Sequence, residues 1–96
     1  MKINTKAILT NFEGKPLLNE DKTEVTVGEA LSSVLINAKH GGKMKIFVLA
    51  EKIYKEPEVE VDTADLSLIK DACEKSEIFT VLVLGQLLKI LESIKA

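Results

Sequence analysis

Thr26-Val27-Gly28-Glu29-Ala30-Leu31-Ser32-Ser33-Val34-Leu35-Ile36-Asn37-Ala38 is the stretch on which the reading of the fold turns. Thr26 and Glu29 stand three apart, the spacing of a capping box: the threonine hydroxyl accepts from the third helical amide and the glutamate reaches back to the threonine amide. Behind them Val27, Ala30, Leu31, Val34, Leu35 and Ala38 recur at intervals of three and four, which gathers them on one face of an α-helix. The pattern predicts a helix from Val27 to near Lys39, stopped by Gly41 and Gly42 as a C-terminal cap.

Upstream of this helix the period changes. Residues Ile3 to Phe12 alternate loosely and are rich in β-branched side chains, so a strand is expected over Lys6 to Phe12. Glu13-Gly14-Lys15-Pro16 reads as a turn with glycine available for positive φ. Leu17 and Leu18 begin a second strand, and Asn19-Glu20-Asp21-Lys22 is a polar loop. The simplest account is an N-terminal β-hairpin.

Downstream, a second helix is expected from about Lys43 to Lys55, with Met44, Phe47, Val48, Ala50, Ile53 and Tyr54 as its apolar positions and Pro57 ending it. The glycine pair makes the link short, so the first two helices should be neighbours. Glu58-Val59-Glu60-Val61 alternates strictly, as a short extended segment does. Asp62 or Thr63 starts a third helix, which carries Leu66, Ile69, Ala72 and Cys73 on one side and ends near Ser76. The last helix, from about Ile78 to Ile94, is apolar except for a narrow line through Gln86, Lys89 and Ser93. That is wider than the roughly 100° stripe of an ordinary amphipathic helix, so burial on more than one side is expected. Gly85 lies inside it at a cost of about 1 kcal/mol relative to alanine, which suggests close approach of another helix. The fold class expected is therefore α+β: an N-terminal β-hairpin followed by about four helices, with one short extra extended segment, in a single domain spanning residues 1–96 and without an internal repeat.

Composition narrows the function. A chain of 96 residues buries a modest core. Cys73 is the one cysteine, so no intrachain disulfide can add stability. One cysteine and one histidine cannot supply the four protein ligands of a structural zinc. Oligomerisation is the remaining common route to stability. With 46% hydrophobic and 29% charged residues the composition is that of a folded chain. Three phenylalanines and one tyrosine are its only aromatics, so the core should be aliphatic. All 13 basic residues are lysines and the net charge is −2. Arginine is the usual bidentate reader of phosphates and guanine edges, and its absence disfavours nucleic acid as a partner. No signal segment is visible, and the most apolar run, Ile78 to Leu91, is too short and too interrupted to span a bilayer. A cytoplasmic location and no membrane partner are expected.

The chemistry-bearing residues read as structural ones. Lys39-His40-Gly41-Gly42-Lys43 could cradle an anion, yet it lacks the spacing of a phosphate-binding P-loop and reads as a helix–helix turn, with His40 as a helix-terminal cap. Cys73, flanked by Asp71 and Glu74, lacks the electropositive setting of a reactive thiolate. The acids Glu51, Glu56, Glu58, Glu60, Asp62 and Asp65 decorate an exposed edge, or dock a lysine-rich neighbour. No catalytic residue, cofactor or metal ligand is expected, and an enzyme is not the reading.

Ile8-Leu9-Thr10-Asn11-Phe12-Glu13-Gly14-Lys15-Pro16, then Thr26-Val27-Gly28-Glu29-Ala30-Leu31, Leu49-Ala50-Glu51-Lys52-Ile53-Tyr54, Val59-Glu60-Val61-Asp62, Ile69-Lys70 and the Gly85-Gln86 helix follow one another in an order that resembles small accessory proteins of tailed bacteriophages and prophages of the siphovirus kind. The resemblance covers most of the chain and rests on structural motifs. It implies a homo-oligomeric ring, a hexamer in size, acting as a chaperone or structural factor in virion assembly in the host cytoplasm, with other phage structural proteins as further partners. The expected self-contact is the last helix, through Leu84, Leu87, Leu88 and Leu91. Two alternatives stand beside it: a small phage protein that inhibits or modulates a host protein through the acidic stretch, and a nucleic-acid-binding regulator built on the helices around Gly41-Gly42.

Overall fold

The computed structural model describes residues 2–39 and 42–94. Its elements are β1 (Lys2–Asn4), α1 (Val27–Ile36), α2 (Lys43–Lys55), β2 (Glu58–Glu60), α3 (Thr63–Lys75) and α4 (Val81–Ser93). The α+β class is as expected: β structure at the N-terminus, four helices, and one short extended segment at Val59. Among the described residues the one regular ladder joins distant parts of the chain. β1 pairs antiparallel with β2 in the register Lys2↔Glu60, Ile3↔Val59 and Asn4↔Glu58, and both central side chains are buried. Thr5 extends this seam. Its amide donates to the Pro57 carbonyl at 3.0 Å and its hydroxyl to the Glu56 carbonyl.

Between β1 and α1 the chain turns back where Glu13–Pro16 predicts a turn. Asn11 N–H donates to the Lys15 carbonyl, Gly14 takes a positive φ of 85°, and Thr10 forms a single antiparallel bridge with Pro16. The chain then makes the same turn again. Asn19 N–H donates to the Thr23 carbonyl, and Lys22 takes a φ of 68°. Residues 9–16 and 17–24 are thus two copies of one eight-residue loop, an internal repeat where none was expected. Its sequence trace is only Leu9/Leu17 and Asn11/Asn19, far below the periods of familiar repeat proteins. Three backbone bonds close the unit on itself: Leu17 N–H to the Leu9 carbonyl at 2.9 Å, Val25 N–H to the Leu17 carbonyl at 2.8 Å, and Leu9 N–H to the Val25 carbonyl at 2.9 Å. These segments meet as isolated bridges because each has only one or two residues to pair before the next turn begins.

α1 begins at Val27 as expected, with the Glu29 amide donating to the Thr26 hydroxyl at 3.2 Å. The capping box is only half formed, because the Glu29 carboxylate instead accepts from the Asn19 side chain at 3.1 Å. The helix ends at Ile36, three residues before the expected Lys39. Asn37 caps it by donating both its backbone amide, at 3.3 Å, and its side-chain amide, at 2.8 Å, to the Ser33 carbonyl. The expected stop at Gly41 and the capping role of His40 lie outside the described residues.

α1 is the helix enclosed by the others. Seven of its residues are buried, and it packs on α2, α3 and α4. The last helix was expected to be covered by its own fold on one side, with a partner chain on the other, and the fold does bury one side of it. α4 starts at Val81, not Ile78, and only Leu87 and Leu91 are fully buried, with Leu82, Val83, Leu84, Leu88 and Ile90 half-covered. α1 takes the centre because Gly28, Ala30 and Ser32 let neighbours come close. A Cβ at Gly28 would lie 2.9 Å from both the Ile53 carbonyl oxygen and Thr5 Cβ. At Gly85, by contrast, a Cβ meets nothing within 4 Å, so the close helix approach expected there does not occur within the chain.

The core is aliphatic, as the composition implies. Ile3, Leu9, Leu31, Leu35, Ile53, Ile69, Leu87 and Leu91 are its largest fully buried members. α3 follows its expected face, with Leu66, Ile69 and Cys73 buried and Asp62 as N-cap of a complete capping box with Asp65.

Candidate interaction surface

α2 carries apolar side chains on two faces, and the core takes only one. Ile46, Leu49, Ala50 and Ile53 are buried against the rest of the fold. Met44, Phe47, Val48 and Tyr54 were expected on the same inward face as Ala50 and Ile53. The structure places them outside, with Met44 74%, Phe47 59% and Tyr54 67% exposed. At 100° per residue, positions 44, 47, 48, 51 and 54 share one side of a helix, so the apolar residues form a stripe broken by Glu51. Lysines flank it. Lys55 lies 3.5 Å from Glu51, and Lys45 lies 3.7 Å from Asp65.

Tyr54 also lines an open groove of about 750 Å³. Half-buried Leu17, Val25, Phe79 and Val83 and buried Ala30 give it an apolar lining. The second loop copy contributes Glu20 and Asp21, and α1 contributes Glu29. Asp21 accepts from the hydroxyl of Thr23 at 2.6 Å and from its amide at 3.1 Å. Those bonds hold its carboxyl below the usual carboxylate range. The other loop copy ends in Phe12, which is 98% exposed. Three of the four aromatic residues therefore stand at the surface, where aromatic side chains are the usual anchors of protein contacts.

The four residues expected at a self-contact divide. Leu87 and Leu91 are 0% exposed, occupied by the chain's own core, while Leu84 and Leu88 are half-buried against it. A contact by α4 would fall to its outer side, where Val81 is bare. Gln86, expected on a solvated line, is instead a tie between elements. It accepts from the Thr10 amide at 3.0 Å and donates to the Thr10 carbonyl at 2.6 Å.

The remaining candidates are accounted for locally. The acidic run is spread over α2, β2 and α3, where Glu51, Glu58 and Asp65 sit beside lysines of the same chain. Cys73 is buried and its thiol is pushed up to about 12, chiefly by burial and further by Glu74, so at neutral pH it is a protonated core residue. Of the Lys39–Lys43 loop, residues 40 and 41 lie outside the described residues, and Gly42 serves as N-cap of α2. Among the described residues no group of three or more His, Cys, Asp or Glu could hold a metal ion, and no helix is long and apolar enough to cross a membrane. The α2 stripe and the groove were missed at the sequence level because a helix apolar on two sides does not declare which side is inward. Compared with protein-family models, curated proteins and solved structures, the chain matches none.

Proposed function

We propose that this protein is a non-enzymatic accessory factor that self-assembles and works by offering apolar surface to other chains. The observation that carries the reading is the bare stripe of Met44, Phe47, Val48 and Tyr54 on a helix whose opposite face is already packed in the core. An apolar patch of this extent on a small domain marks an interaction site. The order of motifs along the chain supports a place among small tailed-phage proteins, and with it a homo-oligomeric ring, six copies in size, serving as an assembly chaperone or structural factor in the host cytoplasm. The buried, protonated Cys73 weighs against thiol chemistry. The pairing of the acidic run with the chain's own lysines weighs against its use to dock a host protein.

The test is the mass of the full chain by light scattering after size exclusion. A mass several times 10.6 kDa is the expected result. A mass of one chain at every concentration overturns the self-assembly reading.

A further inference from the structure

The groove lined by Leu17, Val25, Phe79 and Val83 has apolar walls and charge of one sign. Its charged residues are Glu20, Asp21 and Glu29, and no lysine is among the residues that line it. Elsewhere the acids of this chain are matched by its own lysines: Glu13, Glu51, Glu58, Asp65 and Asp71 each lie within 3.9 Å of a lysine ammonium. Among the described residues the three groove acids have no lysine so near. The two loop copies make the contrast directly. Glu13 is paired with Lys15 at 3.8 Å, whereas the residues eight positions on, Asp21 and Thr23, join a carboxylate to a hydroxyl. The charge beside the groove is thus balanced by no cationic side chain of the described chain.

We infer that this groove receives a segment of a different protein in which apolar residues stand beside an arginine. Resting on the reading of the protein as a factor that offers apolar surface to other chains, this assigns the groove as the place of contact and gives the chemistry of the segment. Apolar side chains and the methylene stem of the arginine cover the walls, while the charged head stays at the wet, acidic margin. Complementary charge of this kind selects the partner and fixes its register. A guanidinium suits the site better than an ammonium, because its planar fork serves carboxylate oxygens in pairs and packs on aromatic rings such as Tyr54 and Phe79. This chain has no arginine, so a second copy cannot supply that fork. Nor are the acids gathered for a metal ion, since no three such groups converge among the described residues. The volume of about 750 Å³ lies within the roughly 300–1,000 Å³ of ordinary ligand sites.

The experiment titrates the full chain against fluorescein-labelled peptides and reads anisotropy. A peptide of alternating leucine and arginine should bind. One of leucine and glutamate, and one of serine and arginine, should each bind at least roughly 10-fold more weakly, because a charge-assisted bond or an apolar contact is missing. Asp21→Asn and Glu29→Gln, which keep shape and remove charge, should each weaken binding of the first peptide roughly 10-fold. Tyr54→Ala should weaken it too. Phe47→Ala, on the same helix but outside the groove, should not. Circular dichroism checks that each variant is folded. The inference is overturned if the leucine–arginine peptide does not bind, if the leucine–glutamate peptide binds equally well, or if the chain carrying both Asp21→Asn and Glu29→Gln binds like the wild type. Butylguanidinium that displaces the peptide at equal concentration would make the site one for small cations. A peptide that breaks up the wild-type assembly would make the occupant a second copy. Either result also overturns the inference. Light scattering on the same samples keeps self-assembly separate: an assembled chain that binds no peptide loses the groove and keeps the ring, and a single chain that binds it keeps the groove and loses the ring.

Discussion

A glutamine side chain has the donor and the acceptor of a peptide group, and Gln86 uses both on Thr10. This is the bonding a neighbouring strand would have supplied, delivered from a helix across 76 positions of sequence. Gln86→Leu keeps most of the volume and removes both bonds, leaving the Thr10 amide and carbonyl without partners in a half-buried place. Each such orphan costs about 1–3 kcal/mol, so the variant should lose on the order of 2 kcal/mol in urea denaturation. Gly28 and Gly85 make a paired test of the opposite kind. Adding a methyl at Gly28 drives it into the Ile53 carbonyl and Thr5, and overpacking of this sort costs about 1–3 kcal/mol. Adding one at Gly85 meets open space, so the helix propensity of alanine is gained at about 1 kcal/mol. Gly28→Ala should lower the unfolding midpoint and Gly85→Ala should raise it; both shifts are read in the same thermal scan. Neither sign is visible in the sequence, where both are glycines inside helices.

At the scale of the element, what was legible was what local chemistry decides. The bounds of α2 and α3 follow from Pro57 and from the Asp62 cap. The Asp62 carboxyl accepts the Asp65 amide at 2.7 Å, and this bond more than any other holds its pKa below the ordinary carboxylate value. A carboxyl lowered in the folded state stabilises that state fully above its unfolded pKa of about 3.9 and ceases to do so as pH falls through the folded value. Wild-type α3 should therefore lose its cap on acidification. Asp62→Asn, which caps without titrating, should show a smaller fall in thermal midpoint between pH 5 and pH 2 when both are followed by circular dichroism. Less legible was which helix would lie inside. α4 carries apolar residues around a wider arc, but α1 has the smaller residues, and close approach of several neighbours depends on small size as much as on apolarity. The same difficulty hid the α2 stripe. Met44, Phe47 and Val48 each stand only one or two positions from Ile46 or Leu49, and nothing local says which set the other helices will cover.

For the molecule as a whole, the class, the number of helices and the aliphatic core were all readable, because they follow from period, capping and composition. The candidate surface was readable only as a surplus of apolar residues, and the sequence assigned that surplus to α4. In the structure the core absorbs Leu87 and Leu91, and the excess stands on α2 and at Phe12. The eight-residue repeat escaped because its period is fixed by backbone bonds. Gly14 and Lys22 occupy the same left-handed position with unrelated side chains, and only Leu and Asn recur between the copies.

The pairing of β1 with β2 sets an order of events during synthesis. Lys2–Asn4 are made before their partners at Glu58–Glu60, which emerge some 55 residues later, roughly 3–12 s at ordinary elongation rates. The Leu9–Leu17–Val25 triangle needs only the first quarter of the chain. A growing polypeptide can thus close its small loop unit early and hold it beside an unpaired leading strand. The ends of the span from Lys2 to Glu60 are joined only when the segment after Pro57 leaves the ribosome.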